Sequence, residues 1–435
     1  MTIATDHDTA ALDAARITGV IAEEYGEPEY MAAARQGAWD MFVAAPQPGR
    51  VDHLWRYTDP KPFEPGDTIG TVSPAASRAA VSVPHSDQLA GYAVWHAHGL
   101  EECILDAQLA ASGVVLTDLH RATENYRNII DQHLGSAVGA DFGRYEALNA
   151  AIWQAGLFVY VPRDVIVAEP MHVVFAGDAA TPLFAPRLLV VLEEGAQLTL
   201  TSEFVSPRGD RLSTNSVLES IVGAHAQMRQ VTVQRWGDAA TSYITQRANV
   251  HRDGQFLSIF AGLGAGLSKV DLGARLVGRG AHAKLLGMSF GQDRQHVDHH
   301  TLHDHQSGNT SSDLDFKVVL KDEARSVYTG LIRIAEDAAN CEAYQENRNL
   351  LLSDGTRADT IPELEILTDE VRCSHGATIG PLDEEEIFYL RARGIPRDEA
   401  IRIVVGGFME PTLREVPADL RERLQSYIAE RVEEI

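Results

Sequence analysis

The feature that most constrains the fold is a long region of short β-type runs with no convincing helix between them. It extends from Leu157 to about residue 380, and tight polar turns separate the runs. Parallel strands in α/β folds need helical crossovers, so this region excludes an alternating βαβ arrangement. A β-helix, in which short strands coil into a solenoid, accommodates the pattern best. A sandwich or a double barrel is the alternative, because the spacing of the runs is too irregular for coils to be counted.

The turns themselves form a loose repeat in which an apolar run meets a tight polar turn, followed by a small residue and the next strand. The clearest examples are Glu194–Ala196, Gly223–Ala226, Gly280–Ala283, Asp322–Ala324 and Glu336–Ala338. A recurring unit of this kind is typical of a solenoid.

Helical periodicity precedes the strand-rich region. It predicts helices over residues 28–45, 118–134 and 142–155, with Gly156 in the position of a left-handed C-terminal cap. We therefore predict an N-terminal helical domain over residues 1–156 and a β-helix core over residues 157–380.

A C-terminal helical domain is predicted over residues 381–435. Asp383 has the position of an N-cap, and Gly406-Gly407 with Pro411 are expected to end the second helix. Leu420, Leu424, Ile428 and Val432 mark a last amphipathic helix. Such helices either cap the exposed solenoid end or form a docking surface for another protein, and the pattern does not separate these two roles.

Charge and cysteine content bound the class of protein. The chain has 37 Lys and Arg against 62 Asp and Glu, a net charge of −25, which argues against nucleic acid and anionic membranes as partners. Three cysteines without CxxC spacing indicate a reduced, intracellular chain. No apolar run reaches the ~18 residues that a membrane span needs, and the N-terminus has no signal-peptide pattern. The sequence predicts a soluble, cytoplasmic protein.

A thiol and an imidazole stand close together near the end of the strand-rich region. In an extended strand, Cys373 and His375 point to the same side, roughly 7 Å apart, together with Val371, Ala377 and Ile379. Both are ligands for soft metals, but iron–sulfur clusters normally take four protein ligands. Any cluster bound here would therefore need a second chain. The alternative is a small buried thiol beside a hydrogen-bonded histidine.

Five histidines in ten residues form the most conspicuous cluster, at His296, His299, His300, His303 and His305. On a strand, His299, His303 and His305 would share one face, so a three-histidine metal site is geometrically allowed. The polar run that follows favours a structural ladder of side-chain hydrogen bonds instead.

No nucleotide site is identified. The segment Gly262–Lys269 contains GxGxG, but it lacks both a P-loop ending and a following helix, so we predict a strand and bend there.

Several blocks resemble the SufB/SufD family of the Suf iron–sulfur cluster assembly system, across residues 25 to 410. They are Trp55–Asp59, Leu148–Ala151, Tyr160–Pro162, Asp298–Asp313, Ser326–Ile332, Gln345–Ser353 and Ile361–Ile366. The resemblance implies a helical N-terminal domain, a right-handed parallel β-helix and a C-terminal helical domain that binds the ATPase SufC. It also implies pairing with a SufB-like paralogue through the β-helix, and a homodimer is a further expectation for the chain alone.

The resemblance also implies residue roles. The family's Cys-Ser/Thr-His-Gly-Ala motif falls on Cys373 and His375, at the interface where a nascent cluster is thought to form. These two residues are thus the expected metal ligands, shared with the partner chain, and the cluster would be transient rather than stably bound. Arg348 stands where SufB has its scaffold cysteine, and Gly376 where SufB has a glutamate, so the chain resembles the SufD branch. It is then a non-catalytic subunit, with ATP hydrolysed by SufC. The alternative is a stand-alone β-helix metalloenzyme that uses His299, His303 and His305.

Overall fold

Two parallel β-sheets form the body of the protein. The structure, a computed structural model, describes residues 18–65, 88–96, 99–179 and 183–433. The strands are β1 Gly91–His96, β2 Gly99–Leu105, β3 Val115–Asp118, β4 Ala155–Val161, β5 Met171–Ala176, β6 Leu183–Phe184, β7 Pro186–Leu192, β8 Gln197–Val205, β9 Ser213–Val222, β10 Gln227–Arg235, β11 Thr241–Val250, β12 Gln255–Gly262, β13 Leu267–Leu276, β14 His282–Gly291, β15 His296–His305, β16 Ser311–Leu320, β17 Arg325–Ile334, β18 Cys341–Leu351, β19 Arg357–Ile366 and β20 Val371–Pro381.

From β7 onward, successive strands alternate between the two sheets, and the whole makes a β-solenoid of about eight turns. The first sheet has the order β2-β1-β5-β8-β10-β12-β14-β16-β18-β20, and the second has the order β19-β17-β15-β13-β11-β9-β7-β4-β3, with β6 beside β9. Every pairing from β4 onward is parallel, and the antiparallel pairs β1–β2 and β3–β4 lie at the start. The predicted mostly β fold with a β-helix core is confirmed.

A left-handed backbone conformation recurs at one corner of the solenoid, about thirty residues apart along the chain. The residues at this corner with positive φ are Asp164, Gly195, His225, Asp253, Gly280, Asn309 and Asn340. Asp, Asn, His and Gly tolerate this conformation best among the amino acids. Most of these amides donate to a carbonyl of the next coil, as Gly195 does to Ala224 at 2.9 Å. A Cβ at Gly195 would lie 2.3 Å from Asp164 Oδ1, so a larger residue there would require the Asp164 side chain to move.

Short helices of the N-terminal region cover the outer face of the second sheet. They are α1 Glu29–Ala44, α2 Ala107–Ala111, α3 Leu119–Asn125, α4 Arg127–His133 and α5 Arg144–Ile152, and residues 18–24 are also helical. Met31, Leu119 and Trp153 pack against Phe158 and Leu189 of the sheet. The helices predicted over 28–45, 118–134 and 142–155 are confirmed, although the second is broken in two at Tyr126.

The C-terminal helices cover the outer face of the first sheet. They are α6 Glu384–Arg391, α7 Arg397–Leu413 and α8 Ala418–Glu433. The predicted N-cap is confirmed, because Asp383 Oδ1 accepts from the Glu385 amide at 2.8 Å. Leu420, Leu424, Ile428 and Val432 are all buried in one cluster with strands β10 to β16. Because these helices lie on a face of the sheet, the expectation that they cap the solenoid end is wrong.

Two predicted helix ends are also wrong. Gly156 lies within β4, and its lack of a side chain serves packing, since a Cβ there would lie 2.5 Å from the Trp153 ring. Helix α7 continues through Gly406-Gly407 and Pro411 to Leu413. Burial of Met409 and Leu413 against α8 outweighs the helix-breaking tendency of these residues.

The division into domains over 1–156, 157–380 and 381–435 stays a prediction. The structure adds that β1, β2 and β3 precede residue 157 and extend both sheets. The solenoid is therefore continuous with part of the N-terminal region.

Candidate functional site

The two sheets end in an open edge formed by β19 and β20. Within the described residues, strand β20 pairs with β18 alone and β19 with β17 alone. No side chain on either strand is fully buried, whereas most side chains on β7 to β17 are. An uncovered edge of this kind leaves a row of backbone N–H and C=O groups unpaired, which makes it a template for another strand.

Cys373 and His375 lie on β20 at this open edge. Cys373 is in register with Ala343 and His375 with Gln345, two buried residues that face the solenoid interior. The alternation along the strand therefore places both side chains on one face, as predicted, and that face is the interior side of the last coil. Cys373 is half-buried and packs beside Cys341, whereas His375 is exposed.

The surroundings of Cys373 favour the neutral thiol. Partial burial raises the pKa of the Cys373 thiol, and the neighbouring Cys341 raises it further, against a lowering hydrogen bond with the Ala343 backbone. A protonated thiol is a weak metal ligand until a cation displaces its proton. Among the described residues, no group of three or more His, Cys, Asp or Glu side chains is placed to hold a metal ion. Cys373 and His375 thus remain two predicted ligands that no third donor group joins within the described residues.

A column of buried amides lies behind the two ligands, and sequence reasoning missed it. Gln345, Asn347 and Asn349 of β18 face the interior, below His375, Ala377 and Ile379. Asn347 donates to the Phe316 carbonyl at 3.0 Å, and Asn349 donates to Asn347 at 2.7 Å. The signal was present, because amides at every second position of a strand share one face.

Gln345 gives this column a free acceptor next to His375. Its Nε2 donates to the Gly330 carbonyl at 3.2 Å, while its buried Oε1 has no partner among the described residues. In the preceding coils the same interior position is held by Leu314 and Leu285. This interior position is therefore apolar in the two preceding coils and polar in β18.

Arg348 lies on the opposite face of the sheet from Cys373 and His375. It alternates with the interior residues of β18 and pairs with Glu346 through Nε and Oε1 at 2.7 Å. The structure therefore does not bring Arg348 together with the two predicted ligands.

The interior histidines of β15 are held separately and do not converge on a metal site. His299 is 3.0 Å from the Ser289 hydroxyl, and His305 contacts the hydroxyls of Thr310 and Ser312 at 2.7 and 2.8 Å. His303 is fully buried, and neither of its ring nitrogens has a hydrogen-bond partner in the described chain. Burial lowers the pKa of His299 and His303 to about 3 and that of His305 to about 4. The predicted polar ladder is confirmed, and the three-histidine site is wrong.

One outward histidine of β15, His300, lies beside the buried ammonium group of Lys269. Lys269 Nζ donates to Asp298 Oδ2 at 2.9 Å and to the Leu54 carbonyl at 2.7 Å, and it lies 3.0 Å from His300 Nε2. The Trp55 ring covers it at 4.5 Å. Burial lowers the pKa of Lys269, against the attraction of Asp298. Burial also opposes ionisation of Asp298, but the Lys269 charge holds the pKa of that carboxyl far below its usual range.

The glycine-rich segment 262–269 is a strand end and bend, as predicted. Strand β12 ends at Gly262 and β13 begins at Leu267. A Cβ at Gly264 would lie 2.2 Å from the Trp236 carbonyl oxygen, so the glycine permits close backbone packing between coils.

No helix in the described part of the chain is long and apolar enough to cross a membrane.

Fold and site together define a β-solenoid protein with a thiol and an imidazole on one side of its last strand. A family model described as SUF system FeS cluster assembly, SufBD core domain, matches residues 175–408, and the SufBD protein N-terminal region matches residues 97–173. Because the core model covers more than half of the chain, the protein belongs to the SufBD family.

Similar proteins carry the same description along nearly their whole length. An iron-sulfur cluster assembly SufBD family protein of Staphylococcus haemolyticus is 27% identical over 407 residues, which cover 90% of this chain and 87% of the relative. Relatives from Staphylococcus epidermidis and Staphylococcus aureus are 27% and 26% identical with the same coverage. The family resemblance noted in the sequence is thereby confirmed.

Proposed function

We propose that this protein is a non-catalytic subunit of an iron–sulfur cluster assembly complex, which contributes part of a cluster site and relies on a SufB-like paralogue for the rest. One observation carries the proposal: Cys373 and His375 share the interior side of a strand whose other edge is free. Two ligands are too few for a cluster, and an unpaired strand edge is the place where a second chain can add its own ligands.

Pairing of strands would assemble the site. Addition of a partner's strands to β19 and β20 would satisfy their open backbone groups and continue both sheets. Leu364, Leu367 and Ile379, which are 36%, 51% and 45% exposed, would be covered in the same step. The Cys373 thiol would then lie in a drier environment and lose its proton when iron binds. The same edge accounts for a homodimer when the chain is alone.

The C-terminal helices are proposed as the docking surface for a SufC-like ATPase. Phe388, Tyr389 and Ile403 are 72%, 57% and 47% exposed on α6 and α7. A groove of about 280 Å³ between α7 and α8 is lined by Ile403, Met409 and other mostly apolar residues. Exposed apolar side chains grouped beside a groove are typical of protein-binding sites.

The SufD-like character of the chain is part of the proposal. Arg348 and Gly376 stand where the SufB branch is expected to carry a cysteine and a glutamate. A chain without that thiolate would assist a cluster built mainly on its paralogue, and the cluster would be a transient cargo rather than a resident cofactor.

The test compares two neighbouring substitutions in the complete complex with the SufB-like and SufC-like partners. His375→Ala is expected to abolish cluster formation, because it removes an interior ligand, while the complex still assembles. Ser374→Ala is the matched control, since Ser374 is exposed on the opposite side of β20 and its loss leaves cluster yield unchanged. Cluster yield is measured from iron, sulfide and visible absorbance, and assembly by size-exclusion chromatography.

Normal cluster yield from His375→Ala would remove His375 from the mechanism. Iron and sulfide analysis of the chain purified alone, and then with its SufB-like partner, separates a shared site from a complete one. A full complement of iron in the isolated chain would contradict the proposal.

A further inference from the structure

A segment of the N-terminal region lies across the outer face of the second sheet and contacts strands of several coils. Residues 53–64, called the strap below, contain short 3-10 turns at His53–Trp55 and Lys61–Phe63. Side chains and backbone of the strap contact residues of β11, β13, β15 and β19. The strap therefore connects strands from four different coils, whereas each coil otherwise contacts mainly its neighbours.

The start of the strap reaches the terminal coil, defined here as β19 and β20. His53 Nε2 lies 3.0 Å from Glu363 Oε2 on β19. The next two residues contact β13, where the Leu54 carbonyl and the Trp55 ring hold the Lys269 ammonium group. Trp55 also stacks on Tyr243 of β11, with ring centroids 6.1 Å apart.

Thr58 makes the most buried polar contacts of the strap. Its hydroxyl donates to Asp298 Oδ2 at 2.5 Å and accepts from His296 Nε2 at 2.9 Å, and the residue is 2% exposed. Asp298 also accepts from Lys269, so the strap and two strands share one buried carboxylate. Loss of the Thr58 hydroxyl would leave buried partners unsatisfied, which is more costly than loss of an exposed hydrogen bond.

The other end of the strap is fixed to the N-terminal helices. Glu64 accepts from Arg144 at 3.0 and 2.8 Å, and Tyr145 donates to the Pro60 carbonyl at 3.2 Å. The strap therefore links α5 to β19, so the position of β19 depends on contacts that α5 makes with the strap.

We propose that the strap holds the terminal coil in place, with Thr58 as its principal positioning residue. The terminal coil of a solenoid has a neighbour on one side only, so it opens more readily than interior coils. The terminal coil has no further coil beyond it within the described residues. The strap gives it an additional contact, from His53 to Glu363, that does not depend on a neighbouring coil. Only the assignment of this coil to partner pairing rests on the proposed function.

Hydrogen–deuterium exchange of the full chain, measured without any partner, tests the proposal. Thr58→Val keeps the shape of the side chain and removes both hydrogen bonds. The amides of β13 and β15, which Thr58 holds through Asp298 and Lys269, are expected to exchange faster, on the order of tenfold. Those of β19 are expected to exchange faster by a smaller factor, with β5 to β8 unchanged. Thr378→Val is the matched control, because Thr378 is exposed on β20, and it should leave β13, β15 and β19 unaffected.

A second substitution keeps the test decisive if Thr58→Val proves unstable. His53→Ala removes the exposed contact with Glu363 and should speed exchange in β19 alone, by a smaller factor. Unchanged exchange of β19 in both variants overturns the proposal, as does equal acceleration in every coil of Thr58→Val. Affinity for the SufB-like partner separates the two claims: if exchange rises in Thr58→Val but partner affinity stays normal, the strap stands and the pairing surface lies elsewhere.

Discussion

At the scale of single residues, the interior of the solenoid holds polar side chains that are not all paired. His303 is fully buried without a hydrogen-bond partner among the described residues, while His305, two positions along the same strand, has two. A buried polar group without a partner costs free energy that an apolar group of similar size does not. The two histidines thus form a natural pair for comparison.

His303→Leu is expected to leave the free energy of unfolding unchanged or raise it by about 1 kcal/mol, because it removes unpaired polar atoms. His305→Leu should lower it by about 1–3 kcal/mol, because Thr310 and Ser312 lose their partner. Urea denaturation at pH 7.5 measures both. A large loss of stability in His303→Leu would show that its ring nitrogens are satisfied in solution.

At the scale of elements, one buried carboxylate ties helix α8 to the first sheet. Glu203 on β8 is 1% exposed and accepts from Arg423 of α8 at 2.7 and 2.8 Å, and also from Arg235. Burial raises the pKa of Glu203, but hydrogen bonding to His172 and the two arginine charges outweigh it and hold that pKa well below its usual range. The contact joins residues that are distant in the sequence, so it helps to decide where α8 docks.

Arg423→Met is expected to lower the free energy of unfolding by about 1–3 kcal/mol, because Glu203 loses one of its buried partners. Arg414→Met is the control: its pair with Glu410 is exposed, and its loss should cost less than about 0.5 kcal/mol. Denaturation and limited proteolysis of α8 read out the difference. Equal stability of the two variants would contradict an important contribution from the buried contact.

At the scale of the whole molecule, the interior histidines make stability depend on pH. Burial lowers the pKa of His299, His303 and His305 to between about 3 and 4 in the folded chain. Unfolded histidines have a pKa near 6.5, so below that pH the unfolded chain binds protons that the folded chain does not. Stability is therefore fully present above about pH 6.5 and decreases as the pH falls towards 4.

The urea midpoint is expected to drop steadily between pH 7 and pH 5, with each of the three histidines contributing up to about 1.4 kcal/mol per pH unit. His303→Leu should reduce the slope of this decrease by about a third. An identical slope in that variant would mean that His303 is protonated in the folded chain. Glu27, whose pKa is lowered to about 2 by Arg35 and His120 against its burial, adds instability only below about pH 4.5.

Local sequence patterns predicted strand faces and turn positions correctly wherever residues close in the sequence determine them. Alternation along β15 and β20 placed the histidines and Cys373 on the predicted faces, and the polar turns fell where Asp, Asn or Gly accepts a left-handed backbone. Prediction failed at Gly156 and Pro411, because packing against Trp153 and α8 outweighed local preference.

The sequence by itself determined the mostly β character, the helical flanks and the placement of Cys373 and His375 on one side of β20, because these follow from periods of two and 3.6 residues. The tertiary structure alone decided that the C-terminal helices lie on a sheet face and leave the β19–β20 edge open. It also brought Thr58 to Asp298 and the Leu54 carbonyl to Lys269. Contacts between residues hundreds of positions apart depend on the three-dimensional stacking of coils, which no local period encodes.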